Sequence, residues 1–430
     1  MKLRDYRYRL LSHILWGNKK QHYKRKWKEA KLRKNQKLYT KLSRMFTSTT
    51  PTFEDNENKL ALIDKLWYNS VKSNKPVVIY VSHFDYYSPL QQRPNHMFNI
   101  FANKGYPCIF CSAYYSEPRE NLYVIPTTWL KEILKYEFPK VLDIPYGFPY
   151  NDIPNIFKYM HNKTLVLYEL IDDFDLLDNE NTIKQAKEMF SKLVKRENTF
   201  VFTSADKLRQ IALDLGANPK KTIMNKNAVN LQDFQRDEWQ IPEIMQKILH
   251  KNKPIIGYYG ALTATWFDFD LLIETVKQNP QMEFVLMGLK YPDKNIKKTE
   301  EYFKKLEKFD NFTYIPPVPY NEIPNYARHW SVATIPFQIN DITLGTSPVK
   351  LFEYMAMGLP IVTTPMPECK LYKSVFIADN AEDFSAKLKE AIKAKNDAKY
   401  QKILAQEAAE NTWEMRVNDM IDIIKKHYKK

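Results

Sequence analysis

The sequence predicts an α/β protein with two doubly wound parallel-sheet domains in tandem. Two observations carry that reading. From residue 76 onward, short runs rich in β-branched and aromatic residues alternate with helical segments, and the alternation restarts at 254 after the polar stretch "NLQDFQRDEWQ". A chain of 430 residues is long enough for two such domains, each with its own core.

The first series places strands at "PVVIYVS" (76–82), "YPCIFCS" (106–112), "KVLDIP" (140–145), "TLVLYELI" (164–171) and "NTFVFTS" (198–204), with helices at 91–103 and 183–196 among them. The second series runs "PIIGYYG", a helix near 268–279, "MEFVLMG", a helix near 297–308, "NFTYIPP", a helix at 321–329 and "SVATIPF". It continues with a helix inside "GTSPVKLFEYMAMG", then "LPIVTT" and "SVFIAD". From 398 the chain reads as helix throughout. The divisions that follow are a basic helical arm (1–60), a first domain (61–240), a second domain (241–397) and a terminal helix (398–430).

A composition of 44% hydrophobic and 14% aromatic residues is that of a globular chain rather than a disordered one. Three cysteines argue against a disulfide scaffold, and Cys108 and Cys111 fall in an apolar strand-like run that reads as core. Nine glycines leave little material for a Gly-rich phosphate loop. Neither G-x-G-x-x-G nor G-x-x-x-x-G-K-[ST] occurs, which argues against a dinucleotide-dependent dehydrogenase and a P-loop NTPase. His83 and His96 are too isolated to count as a metal site, so no metal is expected.

The net charge of +15 is concentrated at one end. Residues 1–45 hold 16 Lys and Arg against Asp5 and Glu29, so the body is close to neutral and offers no nucleic-acid channel. In the arm Leu3, Tyr6, Leu10 and Ile14 recur at helical spacing with arginines between them. A basic amphipathic helix bearing Trp and Tyr suits an anionic membrane surface; a solvated arm, or one docked on its own domain, is the plainer alternative. Its apolar run is too interrupted for a transmembrane span, and no small-residue cleavage site of a signal peptide follows it.

Chemistry-bearing residues cluster where strands end, the usual ligand side of an open parallel sheet. After the first strand come His83, Asp85 and Arg93. After the fourth come Glu169, Asp172 and Asp173, adjacent carboxylates that suit either an exposed turn or acid/base and hydroxyl-binding work. Gly260 and Gly288 end two strands of the second series, where a backbone can approach a ligand closely. In "SPVKLFEYMAMG", Ser347 suits the N-cap, Pro348 the first helical position and Gly358 the C′ position. The helix tip, with Lys350 in its first turn, is an anion site. Glu353 then stands among Leu351, Phe352, Tyr354 and Met355. A carboxylate there needs a partner, either Lys350 one turn back or the paired hydroxyls of a ligand. A phosphate at the tip with a diol behind it describes a nucleotide.

Taken in order, "QQRPNHMFNIFANKGYPCIF", "YELIDDF", "TSADKLRQIALDLGANPKKTIMNKNAVNLQDF", "IIGYYGALTATWFDFDLL", "PPVPYNEIPNYARHWSVATIPF", "SPVKLFEYMAMGLPIVTT" and "TWEMRVNDMID" resemble the retaining GT-B glycosyltransferases of the glycosyltransferase family 4 type, over residues 76–425. The resemblance implies a nucleotide-diphosphate-sugar donor held by the second of two Rossmann-like domains facing across a cleft. It places Glu353 on the ribose, Ser347, Val349 and Lys350 at the phosphates, and Pro317 and Val318 by the base. It puts the acceptor on the first domain, with His83, Asp85 and Arg93 on the acceptor or phosphate side and a terminal helix crossing back. Transfer with retention and without metal follows from the same likeness.

Four departures accompany it. "ALTATWFDFD" lacks the family's Arg and Lys, leaving Lys350, Lys290 or Arg93 to meet the diphosphate. The first glutamate of E-x7-E is Gly345, which shifts donor-sugar contacts to Asn340, Asp341 or Thr343. "NKNAVN" stands for N-G-V-D, and "HFDYYSPLQQRP" for a Gly-rich loop. The expectation is a cytoplasmic transferase, peripheral on the inner face of the cell membrane, that builds a cell-surface glycan on a lipid-linked or polymeric acceptor. The rivals are a nucleotide-sugar 2-epimerase and a non-catalytic nucleotide-sugar-binding scaffold.

Overall fold

The computed structural model describes residues 56–81, 86–87, 91–113, 115–146, 157, 160–161, 163–177, 179–236 and 239–428. The arm before residue 56 and the predicted site residues His83 and Asp85 lie outside them.

The chain runs α1 (Asn56–Ser73), β1 (Val77–Tyr80), α2 (Arg93–Asn103), β2 (Cys108–Ser112), β3 (Ser116–Arg119), β4 (Leu122–Pro126), α3 (Leu130–Ile133), β5 (Lys140–Pro145) and β6 (Leu165–Leu170). It continues α4 (Glu180–Leu193), β7 (Thr199–Thr203), α5 (Asp206–Asp214), β8 (Thr222–Met224), α6 (Leu231–Phe234) and α7 (Glu243–Leu249). The second lobe is β9 (Ile255–Leu262), α8 (Phe269–Gln278), β10 (Glu283–Lys290), α9 (Ile296–Leu306), β11 (Phe312–Ile315), α10 (Ile323–Ala327), β12 (Val332–Ile335) and α11 (Asp341–Leu344). Then follow α12 (Val349–Ala356), β13 (Ile361–Thr363), β14 (Val375–Ile377), α13 (Ala381–Ala394), α14 (Ala398–Ala409) and α15 (Trp413–Tyr428).

Among the described residues the first sheet has the order β3-β4-β2-β1-β5-β6-β7-β8, parallel throughout except for the β3–β4 hairpin. The second has the order β11-β10-β9-β12-β13-β14, all parallel. Strands such as "VVIY" are buried along their whole length, because helices cover both sheet faces. Each sheet centres its own apolar core.

Several elements differ from the sequence reading. Strands β3, β4 and β8 have no counterpart in it; β4 follows the polar, exposed β3 after a turn at Asn121, whose φ is +62°. The terminal helix is two helices, broken where Asn411 and Thr412 meet the inter-lobe linker: Val229 N donates to Asn411 O, and Trp413 N donates back to Val229 O. α12 starts one residue later than its capping pattern suggested, with Pro348 at the N-cap instead of Ser347. Gly358 takes φ +66° at its end, the left-handed conformation a C′ residue needs.

After the break, α15 lies on the first lobe. Glu414 pairs with Lys104 of α2 at 2.7 Å, and Tyr428 Oη donates to Lys140 O at 2.6 Å. The lobes meet through segments that follow strand carboxyl ends. Lys207 Nζ donates to Asp341 O at 2.9 Å, and Asn227 Nδ2 to Ser347 O at 2.6 Å. Lys226 pairs with Glu368 at 2.8 Å.

Candidate functional site

Glu353 is 3% exposed in the middle of α12. Its carboxylate is met by phenols instead of a lysine: Tyr259 Oη, from β9, donates to Oε2 at 2.5 Å. Burial raises the Glu353 pKa, while Tyr259, Lys350 and Tyr320 favour the anion. Tyr320, on the short helical turn after β11, is half-buried, with its hydroxyl enclosed in Glu353's field. One carboxylate oxygen is thus fixed by Tyr259, which orients the group.

Lys350 is drawn toward Glu353 electrostatically but lies along the end of β9. Its Nζ is 5.8 Å from the Tyr258 ring centroid, and a Cβ on Gly260 would stand 2.1 Å from its Cε. Burial lowers its pKa, against the pull of Glu353. Gly260 and Gly288 are register partners with φ of +141° and +137°, and a Cβ on Gly288 would sit 2.0 Å from Gly260 O. Only glycines let these two strand ends cross so closely, with a lysine laid over them. Lys290 is engaged elsewhere, 3.9 Å from the Phe303 ring centroid and 3.7 Å from Glu307.

The loops entering α12 are held by their own polar groups. Asn340 Oδ1 accepts from Thr343 N at 3.1 Å and Thr343 Oγ1 donates to Gln338 O at 2.5 Å, so both residues cap α11. Asn340 Nδ2 reaches Thr265 O at 3.1 Å. In "TAT" after β9, Thr263 and Thr265 hydroxyls both donate to Asp293, at 2.5 and 2.6 Å. Gly345 is buried, and a Cβ there would lie 3.3 Å from Leu208 of the first lobe. The volume a glutamate side chain would occupy at 345 is thus bounded by an apolar residue. Pro317 is exposed and Val318 half-buried beside the core; Ser347 is buried and Val349 half-buried at the tip of α12.

On the first lobe, Arg93 and Glu169 are spent on each other. Arg93 Nε donates to Glu169 Oε1 at 2.8 Å with 3% and 1% exposure. Arg93 also donates to Asn225 Oδ1 and, at 3.2 Å, to Lys226 O, tying α2 to the inter-lobe linker. Its guanidinium lies 5.6 Å from the Trp413 ring centroid. In that geometry Arg93 joins α2 to Glu169, the linker and α15. Asp143 of β5 is fully buried beside this pair, its two oxygens without hydrogen-bond partners; burial and the Glu169 charge push its pKa well up. Asp173 caps the helical turn 174–176 and pairs with Lys207 at 3.0 Å. Asp172 keeps the freer carboxyl: burial raises its pKa to about 6, with a hydrogen bond from Tyr146 lowering it and Asp173 raising it.

Tyr259, Tyr320 and Asp143 were missed by sequence reasoning. "YY" before a strand-end glycine looks like ordinary β-strand filling, and nothing local marks which tyrosine reaches a glutamate 94 residues away. Among the described residues no group of three or more His, Cys, Asp or Glu could hold a metal ion, and no helix is long and apolar enough to cross a membrane.

Residues 253–394 match the model of the family described as glycosyl transferases group 1. Over 236 residues the chain is 22% identical to a Bacillus subtilis protein that carries the name teichuronic acid biosynthesis glycosyltransferase TuaH. That stretch is 54% of this chain and 57% of the relative, so the chain spans little more than half the relative's length. Among solved structures it is similar to sucrose-phosphate synthase from Thermosynechococcus elongatus (TM-score 0.62, 12% identity, 83% of this chain and 99% of that one). It is also similar to Anabaena HepE in complex with UDP-glucose (0.61, 12%, 81% and 99%). A third is WaaG, a glycosyltransferase involved in lipopolysaccharide biosynthesis (0.55, 13%, 81% and 99%). At those identities the structural likeness speaks for the fold. Two sheets whose lobes meet through the segments after their strand carboxyl ends give this chain the GT-B fold; the lobe that carries Glu353 matches glycosyl transferases group 1, and the chain is a distant homologue of TuaH.

Proposed function

We propose that the protein transfers a sugar from a nucleotide-diphosphate donor to a lipid-linked or polymeric acceptor in cell-surface glycan synthesis, with retention and without metal. The observation that carries the reading is Glu353, a buried carboxylate held by Tyr259 behind the N-terminus of α12. Oriented by Tyr259, the carboxylate accepts from a ribose hydroxyl. The free amides at the helix tip, with Lys350 laid across Gly260, meet the diphosphate and stabilise its charge as it leaves. UDP-glucose, bound by the HepE relative, is the first donor to try. Asp172 receives an acceptor hydroxyl, since a carboxyl with a pKa near 6 ionises close to neutrality. Asn340 and Thr343 support the donor-sugar side by shaping the loop, with Pro317 and Val318 flanking the base.

The contrary observation is Leu208 beside Gly345, which removes a sugar-gripping carboxylate and favours a scaffold that binds donor without turnover. Glu353→Gln decides the donor site. A carboxylate–hydroxyl hydrogen bond contributes about 1.5–3 kcal/mol, so nucleotide affinity drops about 10–100-fold with melting unchanged. Wild-type affinity in that variant refutes the assignment. Tight binding by the wild-type protein, with no turnover against any acceptor tried, selects the scaffold; donor conversion without acceptor selects the epimerase.

We further propose that the protein sits on an anionic membrane. Besides the basic arm, α1 supports this: Leu60, Trp67, Tyr68 and Val71 are 56–60% exposed on one helix face, flanked by Lys65 and Lys72.

A further inference from the structure

The R-P-N-H start of α2 carries two side chains on one face, Arg93 and His96, and both meet Trp413 of α15. His96 stacks on its ring at 5.2 Å with planes 6° apart, and Arg93 lies over it. The other side of His96 crosses to the second lobe, where its ring meets Tyr320 edge-on at 5.3 Å and 60°. Tyr320 is held from the remaining side by Phe234 at 5.7 Å, and its hydroxyl is buried within the field of Glu353. His96 Nε2 has no hydrogen-bond partner, whereas the Tyr320 hydroxyl is drawn to the Glu353 carboxylate. Ring packing alone locates His96 against Tyr320.

We propose that His96 is a positioning residue of the first lobe that holds Tyr320 against Glu353 and so completes the donor site of the second lobe. The inference rests on Glu353 being the donor carboxylate. His96 works through its aromatic faces and not as an acid or base: burial lowers its pKa to about 4, which keeps the ring neutral at working pH. The arrangement makes donor affinity depend on the lobes being together. A lobe movement that withdraws α2 takes away one wall of Tyr320, and its phenol leaves the carboxylate.

The experiment uses the full chain, with UDP as probe and 3-fluorotyrosine at position 320 as a nucleotide-independent reporter. His96→Ala is expected to weaken UDP about tenfold and to shift the fluorine resonance; His96→Phe, which keeps the ring, restores both. In a Tyr320→Phe background, read by UDP binding alone, His96→Ala adds nothing further, because both changes remove the same support. An equal tenfold loss in that background overturns the proposal, as does wild-type UDP affinity in His96→Ala. Should His96→Ala fail to fold, His96→Asn, without the ring faces, replaces it. Glu353→Gln separates the two claims. If it leaves UDP affinity unchanged, or UDP does not bind, the donor assignment fails and the fluorine shift alone decides the packing claim. An unshifted resonance in His96→Ala then overturns it.

Discussion

Replacing Asp143 by asparagine should stabilise the protein, increasingly so as pH rises. Asp143 is fully buried, its oxygens lack partners, and its neighbour Glu169 already holds Arg93, so the folded state keeps the carboxyl protonated. In the unfolded chain an aspartate loses its proton above about pH 3.9. Across the window from there up to the raised folded pKa, the native state binds one proton more than the unfolded state. Wild-type stability therefore falls with pH through this group. The amide variant carries no such proton and escapes the penalty. The difference grows by about 1.4 kcal/mol for each pH unit between those two pKa values. At about 2–4 °C per kcal/mol for a domain of this size, the variant's melting advantage widens by about 3–6 °C per pH unit across that window. Thermal unfolding of both proteins across pH 5–7 reads it, since titrating groups away from the Asp143, Glu169 and Arg93 cluster cancel in the comparison. A difference flat with pH would mean that Asp143 is ionised in the fold, and the account of the Arg93 cluster would fall with it.

The two strand-end glycines should respond unequally. Gly260→Ala meets mainly the flexible tip of Lys350, with the Tyr258 hydroxyl at 3.0 Å, and costs about 2 kcal/mol, from its positive φ. Gly288→Ala runs into the Gly260 carbonyl, which cannot step aside, and costs at least about 3 kcal/mol; equal melting temperatures would contradict this. If Asp172 must be ionised to work, kcat/KM falls as pH drops below about 6, and Asp172→Asn removes that limb along with most activity; a limb surviving in the variant would assign it to another group. Changing Leu60, Trp67 and Val71 together to serine should weaken binding to anionic vesicles about tenfold or more, at about 25 cal/mol per Å² of apolar surface. Unchanged binding would leave any membrane contact to the arm.

Much of the fold was legible because its signals are local. The alternation of apolar strands with amphipathic helices announced both sheets, and the capping pattern of "SPVKLFEYMAMG" announced α12 within a residue. The glutamate among apolar neighbours was correctly read as a group in need of a partner. Of the missed strands, β8 is short and β3 is polar and exposed, and β4 sits behind that polar hairpin partner with no helix to set it apart. The break before α15 was invisible because it is made by the linker residue Val229, far away in sequence.

By itself the sequence determined where apolar runs and caps fall, and therefore which segments become strands and helices and which face of each is buried. Only tertiary structure decided the partners. Glu353 took a phenol from β9 instead of the lysine one turn away, because Lys350 lies over the strand-end glycines. Arg93, a plausible phosphate ligand from its position, was consumed by Glu169, 76 residues on, and by the linker. Periodicity sets the direction in which a side chain leaves its element; which charge or ring it meets depends on how the elements are stacked, and that information is spread over the whole chain.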